Sequence, residues 1–172
     1  MDANGQLRFK LSSRSAATKT HHKIDGQIQD LATAPRVSGK LEARGPVRLG
    51  KGETEDTATF YDMNAQLNLN TSVAELSDMS VSFDSAGRPQ LLVGAARATW
   101  DGGLKLSSKL SSQWLDLDAI SAGKTRKSPI EALAFLTGDA IATGPQGSSN
   151  LQIELEQASL GGEVDSGLNV RL

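Results

Sequence analysis

The sequence predicts a mainly β protein, a broad antiparallel sheet carrying one short helix, and three observations lead there. Run after run alternates apolar and polar residues with a period of two, the pattern of strands with one wetted face. Gly, Pro, Asp and Ser separate the runs, as turns between strands require. Only one segment, SPIEALAFLTG at 128–138, carries helix signals instead.

The first run, GQLRFKL, sets Leu7, Phe9 and Leu11 against Arg8 and Lys10. Shorter candidates KIDGQIQ, VSGKLEA and PVRLG follow. The cleanest strand is FYDMNAQLNLN at 60–70, with Tyr61, Met63, Ala65, Leu67 and Leu69 on one side and Asp62, Asn64, Gln66 and Asn68 on the other. At about 3.3 Å per residue it would extend roughly 35 Å, well beyond a usual strand. MSVSFD and QLLVGAARATW come next, and GLKLSSKL sets Leu104, Leu106 and Leu110 against Lys105 and Lys109. SSQWLDLDAI continues it, with Leu115 and Leu117 on the apolar side and Asp116 and Asp118 on the wet one. NLQIELEQ sets Leu151, Ile153 and Leu155 against Gln152, Glu154 and Glu156, and GLNVRL closes the chain. The total is about ten strands.

Between the last two groups, the small, basic stretch 121–128 reads as an exposed loop and 129–137 as a helix. Ser128 is its N-cap, Pro129 its first position, Glu131 completes a capping box and Gly138 stops it. Ile130, Leu133 and Ala134 form the stripe that would meet the sheet. A loose echo between QLNLNTSVAELSDMSVSFDSAGRPQL and LQIELEQASLGGEVDSGLNVRL, each with a bend (Glu75-Leu76, Ser159-Leu160), indicates a sheet that grows by repetition.

Composition narrows the function. The 172 residues suffice for one domain with a sizeable core, or for a piece of something larger. With 18 basic residues scattered against 20 acidic ones, there is no electrostatic footprint for nucleic acid. The absence of cysteine removes disulfides, thiolate metal sites and thiol nucleophiles. No window approaches the roughly 20 apolar residues of a membrane span. The chain starts and finishes in strand-like runs, so 1–172 is expected to be one β-rich segment of a longer protein.

Candidate chemistry is sparse. Asp116 and Asp118 offer oxygen ligands or an acid pair, yet lack the pocket, the charged partner or the further ligands that either use needs. His21 and His22 point apart on a strand and have no third ligand. GKGET at 50–54 lacks the first glycine of a phosphate loop, and no helix pattern follows it. Trp100 and Trp114 suit packed or half-buried positions better than a sugar platform, because only 4% of the chain is aromatic. The expectation is a non-catalytic protein without cofactor or metal.

One resemblance adds to this reading. The run from Val73 to Ile120 resembles the AsmA-like family of bacterial envelope proteins through Gly87-Arg88-Pro89-Gln90-Leu91-Leu92-Val93-Gly94 and the Leu115-Asp116-Leu117-Asp118 element. EQASLGGEVDSGLNVRL and VSGKLEARGPVRLG are similar to that family's return-strand and strand-pair elements. The resemblance implies a periplasmic module whose parent protein is anchored in the inner membrane. It also implies an elongated, curved sheet whose apolar concave side guides phospholipid in lipid transport or outer-membrane assembly.

A sheet with one long apolar face must cover it, close it into a half-folded sandwich, or leave an open groove. For the groove, the expected lipid-facing residues are Leu67, Leu69, Leu91, Val93, Leu104, Leu106, Leu115, Leu117, Leu151 and Ile153. Expected partners are lipid acyl chains, neighbouring segments of the parent chain and other envelope proteins. The competing reading is a structural or adhesive β-domain of a surface or fibre protein, which shares the alternation and the lack of sites.

Overall fold

The computed structural model describes residues 6–17, 19–46, 60–85, 87–120 and 148–171. Nine strands follow the chain: β1 Leu7–Ser15, β2 Thr20–Gln29, β3 Arg36–Pro46, β4 Phe60–Leu69, β5 Val73–Ser85, β6 Arg88–Thr99, β7 Lys105–Asp116, β8 Ser148–Leu160 and β9 Glu163–Arg171. They lie side by side in that order in one open sheet. A single helical turn, α1 Leu117–Ile120, follows β7. Among the described residues no helix is long and apolar enough to cross a membrane.

The sheet is mixed rather than wholly antiparallel. Every neighbouring pair is antiparallel except β7 and β8, which run parallel from Lys105↔Ser148 to Asp116↔Ser159. A parallel pair needs a crossover of a dozen or more residues to bring the chain back to its starting end, and 117–147 is that connection. The expected loop 121–128, the expected helix 129–137 and the GKGET segment lie outside the described residues.

Register keeps the apolar residues on one face. Leu11, Ile24, Leu41 and Ala65 form one row across β1 to β4, and Val37, Leu69 and Ala74 another. Their neighbours in sequence cover the other face with cross-strand ion pairs: Lys10–Asp25 at 3.0 Å, Lys23–Glu42 at 3.1 Å, Arg97–Glu75 at 3.4 Å and Lys109–Glu154 at 2.9 Å.

Strand β5 holds this arrangement by changing phase. The expected bend at Glu75-Leu76 is instead a β-bulge between Leu76 and Met79 inside one continuous strand. Asp78 takes a left-handed conformation, φ 49°, and absorbs the extra residue. Ala74 and Leu76 before the bulge therefore share a face with Met79, Val81 and Phe83 after it.

A second phase change creases β7, β8 and β9 along one line. Ladder pairing lapses at Gln113, Glu156 and Gly167, with Gly167 at φ 69°. Beyond the crease Leu115 and Ala158 turn inward, three residues after Ser112 and Leu155. Side chains replace the lost backbone bonds. The Ser112 hydroxyl donates to the Trp114 carbonyl at 2.7 Å. The fully buried Gln90 amide accepts from the Asp116 N–H at 2.9 Å where β7 leaves β6.

The core sits on the apolar face over β4 to β9, centred on Leu92, Leu115, Leu117, Ile153, Leu155 and Ala158. Toward β1 that face opens. Ile24, Ile28 and Leu41 are half-buried, and Leu11 is 57% exposed.

Candidate functional site: an apolar trough on the sheet

Strand β6 presents only small groups to the apolar face below Leu92: Gly94, Ala96 and Ala98. Its neighbours present larger ones at Leu76, Met79, Leu106 and Leu110. Gly94 lies between Met79 and Leu110, Ala96 between Leu76 and Ser108, and Ala98 between Ala74 and Leu106. A file of small side chains between taller rows makes a trough, which Leu151 of β8 flanks further out; its volume is about 410 Å³. Four rises of extended chain from Gly94 to Ala98 make the file about 13 Å long. At the head of the file only glycine fits, since a Cβ on Gly94 would collide with the Lys109 carbonyl.

The expected lipid-facing residues divide into four groups. Leu106 and Leu151 line the trough. Leu67 and Leu69 are half-buried on the same face but stand outside it on β4, and Leu104 is 43% exposed just before β7. Leu115, Leu117 and Ile153 are 0% exposed and belong to the closed core, so no surface ligand reaches them. Leu91 and Val93 pair with Ser82 and Ser80 on the opposite face, 50% and 41% exposed. They line a second cavity of about 820 Å³ at the crease, with Pro89, Gln113, Trp114 and Glu156. There the Arg88 guanidinium stacks 3.8 Å above the Trp114 ring, whose buried Nε1–H has no acceptor among the described residues.

Ala74, Leu76, Met79, Ala96, Ala98 and Leu110 line the trough without having been expected to. Their signal was present as GAARA, where small residues alternate with the outward Ala95 and Arg97. Large aliphatic residues draw the eye to ridges and not to the floor between them.

The two aspartates have a structural task. Asp118 lies in α1 rather than on a strand, and its oxygens accept from the Gly161 N–H at 2.7 Å and the Gly162 N–H at 3.1 Å. The Ser159 hydroxyl lies 3.2 Å from Asp116 and 3.4 Å from Asp118. Together they pin the helical turn to the β8–β9 hairpin. His21 and His22 fall on opposite faces of β2, and among the described residues no group of three or more His, Asp or Glu is placed to hold a metal ion. Trp100 is also structural, its indole N–H donating to the Thr71 carbonyl at 2.6 Å.

On the charged face Glu42 receives both Lys40 and Lys23. Their hydrogen bonds, Lys40 first, hold its carboxyl below the usual range.

No family model matches the chain, and no curated protein or solved structure is similar to it.

Proposed function

We propose that this chain is a non-catalytic lipid-handling module of the bacterial envelope, acting as AsmA-like proteins do, with the trough along β6 receiving one acyl chain of a phospholipid. The observation that carries the reading is the file Gly94, Ala96, Ala98 between Ala74, Leu76 and Met79 of β5 and Leu106, Ser108 and Leu110 of β7. Its length of about 13 Å is close to the ~15 Å of one leaflet's hydrocarbon, half of a ~30 Å core. Each buried methylene contributes about 0.8 kcal/mol, so even a partly seated chain is held without any polar anchor. The half-open apolar face toward β1 supplies a route for the rest of the lipid, and this is where the expected elongated, curved groove belongs. The periplasmic setting, the inner-membrane anchor of the parent protein and the contribution of its neighbouring segments rest on the resemblance in 73–120.

The test is photo-crosslinking of a diazirine fatty acid to the purified chain, with mass spectrometry of the labelled peptides. Labelling at Ala96, Leu106 and Leu151 supports the reading. Labelling confined to the crease cavity around Leu91 and Val93 moves the site to the other face. A chain that takes up no lipid leaves the structural or adhesive β-domain as the better account.

A further inference from the structure

The two edges of the sheet differ. Edge strand β9 is interrupted by Gly167 at φ 69° and loses its ladder there, a device that discourages further pairing. Edge strand β1 has no such interruption. All nine residues of Leu7–Ser15 pair with β2 without a register shift, and the strand contains neither proline nor glycine. Among the described residues no strand pairs with its outer side, so a row of backbone N–H and C=O groups faces outward. Leu7 and Leu11 beside them are 40% and 57% exposed.

Charge states what fits there. Inward from β1 the polar face is joined by opposite charges on neighbouring strands: Lys10–Asp25, Lys23–Glu42 and Arg44–Asp62. On β1 itself Arg8, Lys10 and Arg14 share that face with no acid between them. Across the ladder Arg8 meets Gln27 and Arg14 meets His21, and neither arginine makes an ion pair among the described residues. A second β1 laid antiparallel would set arginines against arginines, which is unfavourable.

We propose that the outer edge of β1 is a strand-addition site for an extended polypeptide segment of a partner, with acidic residues at alternate positions and aliphatic ones between. Its backbone satisfies the open edge, its acids meet Arg8 and Arg14, and its aliphatic side chains extend the row of Leu7, Phe9 and Leu11. The inference depends on the sheet edge and not on the trough, so a failure of lipid uptake leaves it standing.

The experiment uses the whole chain and two labelled peptides, one alternating valine with glutamate and the other valine with lysine. The glutamate peptide should bind saturably, slow amide exchange along Leu7–Ser15 and lose affinity about tenfold against the R8E/R14E double variant. That variant should now prefer the lysine peptide, and R8Q/R14Q should fall between. These side chains are exposed, so folding is retained and is checked by the unchanged exchange pattern of β4 to β7. Equal affinity of the glutamate peptide for wild type and both variants overturns the proposal. So does association of the chain with itself through β1, or binding of anionic-lipid vesicles in place of the peptide.

Discussion

At the scale of single residues, two leucines that alternate in the same stretch of sequence have opposite fates. Leu117 is 0% exposed in the core, whereas Leu106 is half-buried in the wall of the trough. Leu117→Asn removes a packed side chain and buries an amide with nothing to bond, so about 2 to 5 kcal/mol is lost and the urea midpoint collapses. Leu106→Asn costs about 1 kcal/mol or less and leaves a cooperative transition. Equal midpoints for the two variants would contradict the assignment of core and trough. Asp118→Asn tests the other revised residue. The amide keeps one acceptor oxygen but replaces the second with a donor, so one of the Gly161 and Gly162 N–H groups loses its partner. A loss of about 1 kcal/mol is expected, with faster amide exchange confined to the β8–β9 turn; an unchanged turn would show that water serves equally well.

Among the elements, β3 with its neighbours offers a pH test. Lys40 and Lys23 lower the Glu42 carboxyl, so the contribution is present above the unfolded pKa and fades as pH falls through the lower folded one. An NMR titration of the Glu42 side chain should give a midpoint below that of an ordinary glutamate, returning toward it in Lys40→Met; a midpoint that ignores Lys40 would remove the pairing from the account. Strand positions were legible because each run alternates, and FYDMNAQLNLN became β4 with its apolar set intact. Phase was harder. Nothing in AELSDMSVSF announces that Asp78 takes the left-handed conformation that realigns its two halves. In QLLVGAARATW two adjacent leucines fit either phase, and the structure turns Leu92 inward and Leu91 outward. Gly94 shares the inward face with Leu92, and glycine alone tolerates the approach of the Lys109 carbonyl there. Val93, in phase with Leu91, lies on the charged face.

For the whole molecule, alternation reveals that strands share a face but not which way each one runs. The parallel pairing of β7 and β8 was encoded only indirectly, in the length of the stretch 117–147 between them, which is enough for a crossover. The trough was legible in part, because its ridges Leu106 and Leu151 are large alternating residues while its floor is made of glycine and alanine. That floor is also where the functional claim is most exposed to test. Ala96→Phe places a ring between Leu76 and Ser108, filling the trough from its half-buried floor. The most direct measurement is the yield of diazirine fatty-acid crosslinking to Ala96→Phe and to wild type at equal concentration, with the urea midpoint of each as control. If the trough holds the acyl chain, the variant folds and its labelling at Leu106 and Leu151 falls about tenfold; undiminished labelling of those two residues in the folded variant means that the acyl chain binds elsewhere.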